Sequence, residues 1–254
     1  TGIAATALSL AIVIAAIAVG GGGKMFTWLT RLISPLLAVP HAAAAFGFLF
    51  LFSPSGFLSR LVSPELTGWM RPPDVLIPND PWGLSLVAGL VLKEVPFLLL
   101  MALAARGQVK AAASRQLIAS FGYGRLAGFL MGIWPPLYRR MRLPVIAVLA
   151  FSVSVVDVAA ILGPTNPATL GMRLVGWMND PDLSMRFAAS AGAVLLVLLT
   201  LVSVALWLGL ERLGRMCLHA ECGSGRRYAR DGLAQKLALG VAGLVAFFNL
   251  AGLA

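Results

Sequence analysis

Three ionisable residues stand inside otherwise apolar stretches, where each costs roughly 2.5–3.5 kcal/mol to insert and therefore faces a partner or a water path. Lys93 and Glu94 precede Pro96 in the run Leu84 to Ala104, and Asp157 lies in the run Pro144 to Leu162. Neighbours on a helix point about 100° apart, so Lys93 and Glu94 do not easily neutralise each other, and each needs its own partner. Pro96 frees the carbonyl near Leu92 and gives that helix a flexing point. Glu94 and Asp157 along a common path would suit a cationic solute. A Lys93–Asp157 salt bridge that only holds helices together fits the same residues. Cys217, His219 and Cys222 are close in sequence but lack a fourth ligand and a zinc spacing, so two reduced thiols are expected and no metal. His41, after Pro40, is expected to be a packing or interfacial residue. No GxxxxGK[ST] loop is present, so nucleotide hydrolysis is not expected from this chain.

The elements that carry these residues are membrane helices. Of the 254 residues 59% are hydrophobic and 12% charged, with a mean hydropathy of +0.89, far from a soluble domain. Six stretches approach the roughly 20 residues that cross a bilayer: Ile3 to Val19, Ile33 to Phe52, Leu84 to Ala104, Pro144 to Leu162, Phe187 to Gly209, and Leu237 to the end. None alternates with a strand period, which points to an all-α, polytopic transmembrane helical bundle. The first residues have no basic leader or cleavage site of a signal peptide.

Charge sets the orientation. Lys24 and Arg31 occupy the first loop, beside the flexible Gly20 to Gly23 run. The loop Ser53 to Gly83 balances Arg60 and Arg71 against Glu65, Asp74 and Asp80, and reads as an external cap. Residues 105–143 hold Arg106, Lys110, Arg115, Arg125, Arg139, Arg140 and Arg142 with no acid, and are cytoplasmic. Gly163 to Met185 is poor in bases and external, whereas Glu211 to Lys236 is basic and internal. The net charge of +10 thus reflects topology and contact with anionic lipid, not nucleic-acid binding. The first residues fall outside, so an earlier helix is expected ahead of Thr1.

Within the basic loop, Val109 to Phe121 contains Ala111, Ala112, Ala113, Gln116, Leu117 and Ile118, good helix formers with an apolar face. Gly122 and Gly124 mark a stop and a turn, and a second short helix, Arg125 to Ile133, leads to Pro135 and Pro136. Such a hairpin outside the bilayer is either an interfacial helix or an apolar knob, formed by Leu117, Ile118 and Phe121, that plugs into a partner's groove.

This stretch resembles the cytoplasmic signature of ABC-importer permeases: Glu-Ala-Ala, three residues, Gly, nine residues, then an aliphatic residue, any residue, Leu and Pro. Gly122 and Pro135 stand at the glycine and proline positions. Gln116 replaces the glutamate, Leu117 and Ile118 the alanines, Gly132 the aliphatic residue and Trp134 the leucine. Leu149, Ala150, Phe151 and Asp157 match a fourth-span pattern of similar permeases. Residues 156–165, Val-Asp-Val-Ala-Ala-Ile-Leu-Gly-Pro-Thr, and then Pro167 resemble fused, double-length permeases assigned to thiamine transport.

The resemblance implies a type I ABC-importer permease fold in a bacterial inner membrane. It implies a permease repeat over 1–215 with five visible transmembrane helices, a basic cytoplasmic linker over 216–236, and over 237–254 the first helix of a second repeat. It further implies partner ATPase subunits that hold ATP and Mg and grip the chain near Gln116 and Gly122, and a periplasmic or extracellular substrate-binding protein. This chain itself would bind no cofactor. A secondary transporter or channel for a small cationic solute is the alternative, and a membrane enzyme lacks converging catalytic groups.

Overall fold

A computed structural model describes residues 1–20, 31, 33, 35–74, 77–109 and 111–223. Helices α1 (Gly2–Gly20), α4 (Leu84–Arg106) and α7 (Trp134–Ser154) pack against one another as the centre of the bundle. α1 leaves one stripe, Ala4, Ala7, Leu8 and Ala11, exposed and buries the other side, where Val13 and Ile17 join one core with Leu90 and Leu98 of α4 and Leu137, Met141, Val145 and Leu149 of α7. Around this centre lie α2 (His41–Phe52), the short α3 (Phe57–Val62), α8 (Asp157–Leu162), α9 (Leu170–Met178) and the long α10 (Met185–Gly223). α5 (Ala111–Ser120) and α6 (Arg125–Gly128) form the hairpin of the basic loop, and a π-helical turn, Phe129–Ile133, joins α6 to α7. Among the described residues the His41–Val62 stretch, α4 and residues Met185–Leu218 are long and apolar enough to cross a membrane. The chain is an all-α, multi-pass membrane protein. The Gly21–Gly23 part of the glycine run, Lys24 and residues 237–254 lie outside the described residues.

Four expected boundaries are corrected. The stretch Ile33 to Phe52 is not one helix: helical residues 35–38 end at Val39, and α2 restarts after Pro40. Proline has no N–H to give and pushes the residue before it out of the helical region, so a break falls there. Pro144 to Leu162 breaks too, at Val155–Val156, before α8. α7 begins at Trp134, well before Pro144, because Pro135 and Pro136 occupy its first turn, where the missing N–H groups are not needed. The fifth span runs past Gly209 to Gly223, as helix through residues 216–223.

The two ends of the bundle sort the loops as the charges do. At one end the Asn79 side-chain amide donates to the Gly163 carbonyl at 2.7 Å, and Gly83 lies against Thr1 and Pro164. At the other, Arg140 donates to Gln108 at 3.2 Å and Arg142 pairs with Glu211 at 3.0 Å.

At the first of these ends Asp80 caps α4. Its carboxylate accepts from the Leu84 amide at 2.6 Å and the Ser85 amide at 2.8 Å, satisfying donors that the helix leaves open. Burial pushes this carboxyl up, but the bonds from Ser85 and Leu84 outweigh it and hold it below the usual range. A carboxylate depressed in the folded state lends stability that is complete above its unfolded value of about 4 and is lost as pH falls through the lower folded value. Asp80→Ala is expected to cost about 1–2 kcal/mol at neutral pH. Thermal unfolding in detergent should show the gap from wild type narrowing as the pH drops below about 4; a gap independent of pH would remove Asp80 from this role.

Candidate functional site

The break at Val39–Pro40 leaves two carbonyls without helical partners, and Lys93 supplies them. Its ammonium donates to Leu36 O at 2.8 Å and to Val39 O at 2.6 Å. Lys93 is 5% exposed, and such a burial is tolerable only with partners of this kind. Its protons go to the broken helix, and among the described residues no Lys93–Asp157 ion pair is present. Glu94, the next residue of α4 and 4% exposed, points to the opposite neighbours. It accepts from Ser9 of α1 at 2.8 Å and from Ser152 of α7, so one carboxylate ties the three central helices together. Pro96 is buried in the same helix and removes the donor that would meet the Leu92 carbonyl.

Lys93 and Glu94 both line a cavity of about 360 Å³ whose other walls include Leu37, His41, Phe97, Val148 and Phe151. That volume lies near the lower end of small-molecule sites. His41 opens α2 directly after the break and sets its ring 4.8 Å from that of Phe151. It belongs to the pocket wall, a place the sequence reading did not give it; the signal was a Pro-His pair inside an apolar run. Asp157, by contrast, stands exposed in the first turn of α8, at the second break, and does not line this cavity. α8 packs on α2, so the segments that follow the two breaks lie side by side.

The second candidate element is the hairpin of the basic loop. α5 ends at a turn in which Gly122 takes φ +77°, the left-handed region that favours glycine. The Gly122 amide closes on Ala119 O at 3.0 Å, and the Ser120 hydroxyl on Leu117 O at 2.7 Å. Gln116 is exposed, as are Leu117 at 60% and Phe121 at 56%. Ile118 turns the other way. It sits over Gly128 and Gly132, where a methyl group on either glycine would collide with it. The expected knob of three is therefore divided, with Leu117 and Phe121 facing outward and Ile118 anchoring the helix. Gly124 is buried in the turn, and Pro135 is exposed in the first turn of α7.

Among the described residues no group of three His, Cys, Asp or Glu could hold a metal ion. Cys217 is an exposed free thiol, and the side chains of His219 and Cys222 lie outside the described residues.

No family model matches the chain. It is 32% identical over 176 residues to the inner membrane ABC transporter permease protein YnjC of Escherichia coli (strain K12), an alignment that covers 68% of this chain and 32% of that protein. The chain thus spans about a third of that relative's length.

Proposed function

The chain is a homologue of an inner membrane ABC transporter permease, and from that premise we propose that it is the permease repeat of an ATP-driven importer in a bacterial inner membrane. Residues 1–215 carry the solute path, and a second repeat begins near Leu237. α5 with the Gly122 turn is the lever. Two ATPase subunits that bind ATP and Mg grip Gln116, Leu117 and Phe121, and their closure re-orients the spans for alternating access. A substrate-binding protein delivers solute at the outer loops. The observation that carries the reading is the helix itself: an apolar pair, Leu117 and Phe121, held away from the bundle while Ile118 locks the same helix to it.

The solute path runs through the cavity beside the first break, past Lys93, Glu94 and the Pro96 kink, and on toward Asp157 at the second break. A carboxylate beside the rings of His41, Phe97 and Phe151 suits a small cation with an aromatic body. Thiamine is the solute proposed, on the resemblance over residues 156–165. Polar groups at broken helices also occur in secondary transporters, which would leave α5 without a task.

Reconstitution of the full-length chain with candidate ATPase and binding-protein chains tests the reading, with thiamine and putrescine as solutes. ATP-dependent accumulation of thiamine is expected. Uptake that runs without ATP would favour the secondary transporter, and accumulation of putrescine alone would replace the solute but keep the permease.

A further inference from the structure

We propose that Tyr138, Arg142, Trp207 and Glu211 form the joint that carries motion from α5 to α10, an inference that rests on the permease reading above. α10 needs such a joint. It is apolar along most of its 39 residues, yet among the described residues its buried hydrophobic side chains are Ala189 and Trp207. It meets the bundle at two places. Toward the outer end, Gly192 lets Leu174 and Trp177 of α9 close against it, since a Cβ there would come within 2.6 Å of Leu174. Toward the basic end it meets α7.

That second contact is polar and saturated. The Tyr138 hydroxyl donates to Glu211 Oε1 at 2.7 Å and accepts from Trp207 Nε1 at 2.9 Å. Arg142 Nε pairs with Glu211 Oε2 at 3.0 Å, and the Glu211 side chain is only 7% exposed. Tyr138 and Arg142 are four apart on α7, and Trp207 and Glu211 are four apart on α10, so each pair presents one face of its helix to the other. Charge-assisted bonds of this type fix distance and direction, which a greasy contact between helices does not.

The joint is continuous with the lever. Ile118 of α5 sits on Gly128 and Gly132, across the π-helical turn Phe129–Ile133. From that turn a row of rings leads on: Phe129 to Trp134 at 6.4 Å, Trp134 to Tyr138 at 5.3 Å, and from Tyr138 the hydrogen bond to Trp207. A π-helical turn is an irregular register that can shift where a regular helix would not. A push on Leu117 and Phe121 therefore reaches α7 through Ile118, and Tyr138 and Arg142 hand it to Glu211. These four are positioning residues, and none lines the cavity at Lys93 and Glu94.

Cys217, exposed on α10 beyond Glu211, offers a reporter. The full-length chain, with Cys222→Ser and any cysteine outside residues 1–254 replaced, is labelled there with an environment-sensitive dye and assembled with its ATPase in liposomes. The probe is ATP with vanadate. In the otherwise unmutated protein the label should shift on trapping. Tyr138→Phe and Glu211→Gln should reduce that shift about fivefold or more while vanadate-sensitive ATP turnover persists. The swap of Arg142→Glu with Glu211→Arg remakes the ion pair but gives the Tyr138 hydroxyl no acceptor, so it should recover part of the shift that Glu211→Gln loses. Trp207→Phe keeps the ring and drops one donor, and serves if the other variants do not fold; it should lose part of the shift. Variants that melt earlier yet keep the full shift would show a cluster that only stabilises, and would overturn the joint. A silent label in the unmutated protein during ATP turnover would overturn it as well. An unmutated chain that assembles with no ATPase would instead bring down the permease reading beneath it.

Discussion

Lys93→Met is expected to collapse the second span and to abolish uptake. The substitution removes a buried cation, which by itself could be neutral or even stabilising. It also strands Leu36 O and Val39 O, both of which now receive a proton from the ammonium. A buried acceptor left without a donor costs about 1–3 kcal/mol, and Pro40 prevents the chain from repairing the loss by closing the helix. The net effect should be a loss of about 2–4 kcal/mol, seen as earlier thermal unfolding in detergent and as new protease cleavage between residues 31 and 41. Lys93→Arg keeps donors and charge and should recover part of the stability. Glu94→Gln provides the contrast. An amide can still engage the hydroxyls of Ser9 and Ser152, so folding should survive, while the cationic solute proposed above would lose its carboxylate. Wild-type stability of Lys93→Met together with altered solute affinity would mean that Lys93 serves the solute and not the break.

That break shows what a linear reading can and cannot reach. The apolar run Leu84 to Ala104 was legible as a span, and its charged pair was conspicuous because charge in a span is costly. Pro40 was visible too, but a window wide enough to find a span averages over a single interruption. The partners that make the interruption affordable lie 57 and 54 residues along the chain. The second break had no glycine or proline to announce it, only Val155 and Val156. α7 misled for a different reason. Arg139, Arg140 and Arg142 made its first turns resemble loop, whereas two of those guanidiniums find partners at the bundle's basic end, on Gln108 and Glu211. The division of the knob was hidden in the same way. Leu117 and Phe121 are four apart and share a face, but that Ile118 turns inward depends on Gly128 and Gly132 lying beneath it, a fact of tertiary packing. The hairpin itself was legible, because Gly122 needs no partner to declare a left-handed turn.

The face that this packing leaves bare is where the largest functional effect is expected. If α5 is the lever proposed above, Leu117→Asp or Phe121→Asp should cut ATP-driven uptake about tenfold or more and release the partner ATPase on purification, without harming the fold. Exposed sites away from caps and cores usually change stability by no more than about 0.5 kcal/mol, and both side chains are more than half exposed. In a groove, a truncated or charged anchor costs about 2 kcal/mol or more, and each 1.4 kcal/mol is tenfold in affinity. Ile118→Asp distinguishes the two sides of one helix. It places a charge against the glycines of the π-helical turn, so it should lower the unfolding temperature, which the outward pair should leave unchanged. If Leu117→Asp and Phe121→Asp both sustain wild-type uptake in vesicles, α5 is a surface helix resting on lipid, and the engine that drives transport must engage the chain elsewhere.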